Sequence, residues 1–252
     1  MALYDTIGRG YAALRRPDER IAAAIEAALG DAVSVVNIGA GAGSYESAHR
    51  TVLAVEPSVV MLRQRPAGAA PCVRATAEAL PLKSACVDAA MAILTLHHWS
   101  NVARGLAEMV RVARKRAVVL TWIPDLAPFW LTDDYFPEIA AYDRTVFPGV
   151  AALRAMLGGS GGRVHITPVP IPHDCTDGLL AAYWRRPECY LRDDVRGAMS
   201  SFSRIDAGPG LERLRADLSS GRWAERNREL LALDALDVGY RLVCCEIDMS
   251  RG

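Results

Sequence analysis

Three glycines at alternate positions, Gly39, Gly41 and Gly43, follow the apolar, β-branched run Val33-Ser34-Val35-Val36-Asn37-Ile38. Glycine admits positive φ angles and lets a ligand reach the backbone without meeting a Cβ. A buried strand running into such a turn is how open α/β sheets build nucleotide pockets at the carboxyl ends of their strands. Glu56 lies seventeen residues beyond Gly39, near the separation of about 20 at which an acidic side chain reaches ribose hydroxyls. A dinucleotide turn wants its third glycine at position 44, which here is Ser44. The spacing therefore supports a ribose and a close backbone approach more than a pyrophosphate. Further along, His97 and His98 stand where a long apolar run ends, and histidine is suited to moving protons near neutral pH. His173, in Pro172-His173-Asp174, is a third candidate base, set against a plain loop histidine bonded to Asp174.

The elements that must position these residues can be read in order. Asp18 caps a helix with Ile21, Ile25, Ala28 and Leu29 on one face, closed by Gly30. The strand before the glycines comes next, then a second at Thr51–Val55, with Pro57 placed to start a helix over 59–65. A short third strand is expected at Cys72–Arg74 and a fourth at Cys86–Leu96. Ser100 or Asn101 then caps a helix carrying Val102, Leu106, Met109 and Val110. A fifth strand covers Arg116–Trp122, an edge or frayed strand Arg163–Ile171, and a last one Gly239–Ile247. Leu211–Leu218 is helix-like. The alternation predicts an α/β fold, a doubly wound, mostly parallel seven-stranded sheet. Its core spans 18–123, 163–171 and 239–248 of a single domain over 1–252. Residues 1–17 form a covering segment, and 124–162 and 172–236 are helical lid insertions.

Composition narrows the class. Lys+Arg and Asp+Glu both number 29, so no overall basic field recruits nucleic acid. The cluster Arg111 to Arg116 reads as a solvated helix end. No apolar run is long enough to span a membrane, and no secretory signal opens the chain. The six cysteines show no metal-binding spacing and read as reduced thiols, which fits the cytoplasm.

Taken together, the glycine turn, Leu53-Ala54-Val55-Glu56-Pro57-Ser58-Val59-Val60-Met61-Leu62, Ala77-Glu78-Ala79-Leu80-Pro81, Val87-Asp88-Ala89-Ala90-Met91-Ala92-Ile93-Leu94-Thr95-Leu96-His97-His98-Trp99 and Leu106-Ala107-Glu108-Met109-Val110-Arg111-Val112-Ala113 resemble a known set. Their types and order are similar to class I S-adenosylmethionine-dependent methyltransferases of the type-11 group, with a Rossmann-like methyltransferase fold. The resemblance implies S-adenosylmethionine as cofactor. Gly39, Ala40, Gly41 and Gly43 would line its methionine part and Glu56 its ribose. Pro57, Ser58, Met61, Ala77 and Glu78 would lie by the adenine, with Leu94 at the fourth strand's end. An N-terminal Arg-Pro motif implies Arg16 for the cofactor carboxylate, with Tyr4 and Tyr11 closing the site. The chain departs from the pattern at Asn37, where relatives carry an acidic residue for the amino group, and at Thr76, where many carry Asp.

The implied chemistry is in-line displacement on a sulfonium methyl, in which alignment and exclusion of water do most of the work. Trp99, Trp122, Trp130, Tyr135 and Trp184 are expected to offer an apolar pocket to a small, aromatic or hydrophobic metabolite. Phe129 joins them in the aromatic set, of which about half is expected to be core. Asp133-Asp134 invites a metal reading, but no third ligand accompanies it, and no metal is expected. Two alternatives carry weight. One is an NAD-dependent oxidoreductase, against which stand Ser44 and the lack of a hydride-site pair. The other is an RNA or protein methyltransferase, disfavoured by the absence of a basic tail.

Overall fold

The computed structural model describes residues 15–159 and 162–248. Seven strands form one sheet: β1 (Val35–Ile38), β2 (Thr51–Val55), β3 (Cys72–Val73), β4 (Val87–Ile93), β5 (Ala113–Trp122), β6 (Arg163–Pro168) and β7 (Tyr240–Glu246). Their spatial order is β3-β2-β1-β4-β5-β7-β6. Every pairing from β3 to β5 is parallel, and β7 runs antiparallel between β5 and β6. The two central strands β1 and β4 are buried almost throughout, which is why they read as continuous apolar runs. β6 alternates and lies at an edge, where Pro168 costs no ladder bond on its open side.

Helices cover both faces. On one, α1 (Glu19–Leu29) buries Ile21, Ile25 and Leu29, and the Asp18 side chain accepts from the Arg20 N–H at 3.0 Å. On the other, α3 (Val102–Val112) buries Leu106, Met109 and Val112, capped by Asn101. The short α2 (Val59–Leu62) is capped by Ser58, whose hydroxyl accepts from the Met61 N–H. Pro57 thus precedes the cap instead of starting the helix. The two faces hold two separate apolar clusters, so the sheet is dry on both sides.

The segments around the sheet depart from expectation in two ways. Between β5 and β6, α4 (Pro137–Val146) packs with the later insertion, but α5 (Val150–Gly158) does not cover the cavity. It lies beside α3 and buries Leu153 and Leu157 in the second cluster, the ordinary crossover into β6. The segment after β6 contains α6 (Asp193–Gly197), α7 (Gly208–Ser220) and α8 (Arg222–Arg226). It is pinned by Ile171–Pro172 pairing with Ala235–Leu236. The basic cluster is not a solvated helix end either. Arg111 pairs with Glu108, Arg114 with Asp88, and Lys115 and Arg116 with Asp31, so these cations staple neighbouring elements. No helix is long and apolar enough to cross a membrane among the described residues.

Candidate active site

A cavity of about 520 Å³ opens at the carboxyl ends of β1, β2 and β4. Its floor is the glycine turn. Gly39 and Gly41 adopt φ of +68° and +54°, and the N–H groups of Gly39 and Ala40 both donate to the Val55 carbonyl. A Cβ at Gly39 would collide with the Thr95 side chain. Only a residue without a side chain satisfies both the backbone and this approach. Gly43 lies just outside the lining, with Ala42, Ser44 and Tyr45 on it.

Glu56 is 5% exposed and lines the cavity. One carboxylate oxygen accepts from the Gly41 N–H and the other from the Ser58 N–H, each at 2.8 Å. A carboxylate offers about four acceptor sites, so two backbone donors orient it without exhausting it. Asn37 lines the same wall at 1% exposure. Its Nδ2 donates to Glu46 at 3.1 Å, and its Oδ1 has no partner among the described residues. Pro57, Met61, Thr76, Ala77 and Glu78 complete this end, while Ser58 is fully buried behind it. Glu78 accepts from the Ser100 hydroxyl and the Asn101 N–H. Those bonds outweigh its partial burial and hold its carboxyl below the usual range.

The other end is built by residues after β4. Leu94 takes φ of +53°, ending the strand at Ile93, and Leu96–His98 forms a single 3₁₀ turn. A non-glycine residue in that region is strained, and such strain gathers at functional sites. Leu94, His97, His98 and Trp99 all face the cavity. The His97 ring stacks on Phe147 at 4.5 Å, and its Nε2 lies 3.5 Å from Ser200 Oγ. Its Nδ1 is unpartnered among the described residues. Burial, then His98, Arg15 and Arg204, push the His97 pKa well below the ordinary value. Burial, then Arg204 and Arg15, bring His98 down to about 4. Both rings are therefore neutral at physiological pH.

The other residues expected at the site fall elsewhere. Arg16 is exposed, whereas Arg15 lines the cavity and forms an ion pair with Asp177. Tyr45, at φ +63°, donates its hydroxyl to the same carboxylate at 2.9 Å. Tyr4 and Tyr11 lie outside the described residues. His173 does not line the cavity; its N–H donates to the Asp234 carbonyl, and Asp174 pairs with Arg20 instead. Trp130, Tyr135 and Trp184 are core residues. Trp130 packs edge-on against Tyr135, Tyr190 and Trp223, and donates its indole N–H to the Trp184 carbonyl. The Tyr135 hydroxyl donates to Asp217, and the Trp184 indole to the Ile171 carbonyl. Buried aromatics with satisfied polar tips have no reason to face a ligand. Trp122 reaches only a small second cavity, of about 50 Å³, that shares Arg15, Leu94 and His97 with the first.

A family model described as a methyltransferase domain matches residues 36–121. A solved structure from Anabaena variabilis ATCC 29413, described as a candidate methyltransferase from an antibiotic biosynthesis pathway, is 36% identical. The match covers 92% of this chain and 98% of that one, with a TM-score of 0.85. The chain belongs to the class I S-adenosylmethionine-dependent methyltransferases. Its type-11 domain and S-adenosylmethionine as its cofactor follow from that membership, and an NAD-dependent oxidoreductase is set aside. A methyltransferase from Thermotoga maritima matches at 16% identity over 97% of this chain and 98% of its own, with a TM-score of 0.57. Geranyl diphosphate C-methyltransferase from Streptomyces coelicolor A3(2) matches at 15% over 91% and 77%, with a TM-score of 0.55. At those identities the likeness is one of fold. No relative was found among curated protein sequences.

The methyltransferase's own residues suit this cofactor. The turn around Gly39 and Gly41 leaves the backbone free of side chains, which fits a methionine part, and Glu56 is a fixed carboxylate with acceptor sites to spare, which fits ribose hydroxyls. The orphaned Asn37 Oδ1 supplies an acceptor at the wall. Arg15, Tyr45 and Arg204 line the cavity with no role expected from the sequence. Arg15 is marked only by standing two residues before Pro17, Tyr45 only by lying past the glycines, and Arg204 by nothing in the sequence.

Proposed function

We propose that this methyltransferase acts on a small, hydrophobic metabolite by in-line displacement. The carrying observation is the cavity itself. At about 520 Å³ it falls in the range of small-molecule sites, about 300–1,000 Å³. Beside its far end, across Leu94 and His97, lies the small second cavity, whose lining includes Phe147, Leu179, Leu180 and Met199 from the two insertions.

When bound, S-adenosylmethionine supplies an already activated methyl electrophile. The rest is positioning. Glu56 holds the ribose, and Gly39, Ala40 and Gly41 bring the backbone against the methionine part. Asn37 accepts from the amino group; Pro57, Met61, Ala77 and Glu78 flank the adenine. Leu94, His97, His98 and Trp99 form the wall against which the acceptor aligns. A histidine held neutral as far down as about 4 is a weak base, so His98 orients the nucleophile through a neutral hydrogen bond. Alignment of this kind contributes on the order of 7–11 kcal/mol in favourable cases. Exclusion of water by the residues of 172–236 protects the sulfonium.

Methyl-labelled S-adenosylmethionine, incubated with the enzyme and a fractionated cell extract, tests the reading. Label is expected in the lipophilic, low-molecular-weight fraction. Label confined to RNA or protein overturns the small-molecule assignment.

A further inference from the structure

The cavity is electrically lopsided. At the nucleoside end, Glu56 and Glu78 line it, and Arg74 donates to the Pro57 carbonyl. At the acceptor end, two cations approach, Arg15 and Arg204. Arg15 is compensated by Asp177, itself 1% exposed. Arg204 forms no ion pair among the described residues, and its guanidinium lies over the Tyr142 ring at 5.5 Å.

The local structure holds Arg204 in place. It ends the 3₁₀ segment Ser200–Arg204, whose Phe202 is buried edge-on against Phe136. Ser201 on that segment donates to Asp143, and Ser200 meets His97 Nε2. The turn is thus anchored at three points, and its solvent-exposed arginine lines the same cavity as the two histidines. Stacking on Tyr142 occupies the face of the guanidinium and leaves its edge N–H groups for an oxyanion, the geometry in which arginine binds carboxylates in pairs.

From this geometry we infer that the acceptor carries a carboxylate, read by Arg204, at one end of an apolar body. Building on the small-molecule reading above, the inference adds the acceptor's charge. At the acceptor end one cation without an ion pair matches one monoanion; Arg74, which also lines the cavity and forms no ion pair among the described residues, lies at the nucleoside end and donates to the Pro57 carbonyl. The apolar body extends past Leu94 and His97 toward Phe147, Leu179 and Met199. Burial is the first cause that keeps His97 and His98 neutral, and Arg204 and Arg15 add to it, which places both cations near the rings.

The test uses the full-length enzyme saturated with S-adenosylhomocysteine. Phenylacetate and phenylacetamide, equal in shape and different in charge, are titrated by ligand-observed NMR. The acid is expected to bind about tenfold more tightly than the amide, the equivalent of about 1.4 kcal/mol. Arg204→Gln should erase the difference, and Arg204→Lys should restore part of it. S-adenosylhomocysteine affinity should stay unchanged in both variants. Equal binding of acid and amide to the unmodified enzyme overturns the inference and leaves the small-molecule reading standing. So does a parallel loss of S-adenosylhomocysteine affinity in Arg204→Gln, which would make Arg204 a cofactor residue. Binding of neither probe overturns both.

Discussion

Asn37 Nδ2 donates to Glu46 Oε1 across 3.1 Å, and Glu46 is held in turn by Arg65 through two bonds of 2.9 and 2.7 Å. The side chains of that ion pair are only 6% and 7% exposed. The family resemblance implies an acidic residue at position 37; here the carboxylate stands one side chain further back, paired with Arg65. An amide suits position 37 because its N–H₂ satisfies Glu46 while its oxygen points elsewhere.

Asn37→Asp should therefore destabilise the enzyme instead of repairing it. Two carboxylates would share one arginine, and one of them would have to rise in pKa. A loss of roughly 1–3 kcal/mol is expected at pH 7.5. The sign follows from linkage: with the folded pKa raised, the penalty is full above it and disappears below the unfolded value near 4. Thermal melts of the two proteins should separate at pH 7.5 and converge toward pH 4. Equal melting temperatures throughout would mean that Glu46 does not feel position 37.

Glu56→Gln tests the ribose ligand. The carboxylate now accepts from two backbone donors at once, Gly41 and Ser58. An amide would present N–H₂ to one of them, donor against donor, and would offer the ribose fewer acceptors. Hydrogen bonds to charged groups are worth about 1.5–3 kcal/mol, so S-adenosylhomocysteine should bind about 10- to 100-fold more weakly. Calorimetry checks this, and an unchanged dissociation constant would remove Glu56 from the cofactor site.

Much of this site was legible because it is written in short-range chemistry. Asp18 and Asn101 cap helices from within the same turn. Gly39 and Glu56 sit at the ends of strands whose apolar runs mark them. What was not legible depends on partners far along the chain. Arg15 and Arg16 are the same residue type, and the inward one is chosen by Asp177, distant in sequence. Nothing in a leucine announces the positive φ of Leu94, so the fourth strand ends sooner than its apolar run suggests. Trp130, Tyr135 and Trp184 are as consistent with a core as with a pocket until their indole and phenol groups are seen to be satisfied at home.

Asp143 is a buried carboxyl, 2% exposed, whose pKa burial raises to about 6 despite a hydrogen bond from Ser201. A raised acid disfavours its own charge in the fold. That cost is absent below about pH 4, appears as pH climbs, and is full above about pH 6. Asp143→Asn keeps an acceptor for Ser201 and removes the charge. It should stabilise the enzyme by about 1–3 kcal/mol at pH 8, at about 1.36 kcal/mol per pKa unit, and by nothing at pH 4. Denaturant midpoints at the two pH values measure it. A gain of equal size at both would point to packing instead of titration.

Gly105 in α3 sets the position of Trp99, on the wall proposed to meet the acceptor. A Cβ there would run into the six-membered ring of Trp99, which lies in the cavity lining beside His97 and His98. Because the glycine is helical and has an ordinary φ, replacement strains no backbone; alanine is the better helix former by roughly 1 kcal/mol. Gly105→Ala therefore separates wall geometry from stability. The ring must swing toward the cavity or outward, while the helix gains. Misplacement of a positioning group by about 1 Å can cost on the order of 100-fold in rate, so turnover should fall at least tenfold. The melting temperature should hold within a few degrees, and S-adenosylhomocysteine, whose proposed place is the far end against Glu56, should keep its affinity. Gly39→Ala is the contrasting variant: at φ +68° and against Thr95, it should lose both stability and cofactor binding. If Gly105→Ala keeps full turnover, Trp99 has no part in aligning the acceptor, and the wall is made by Leu94 and the histidines alone.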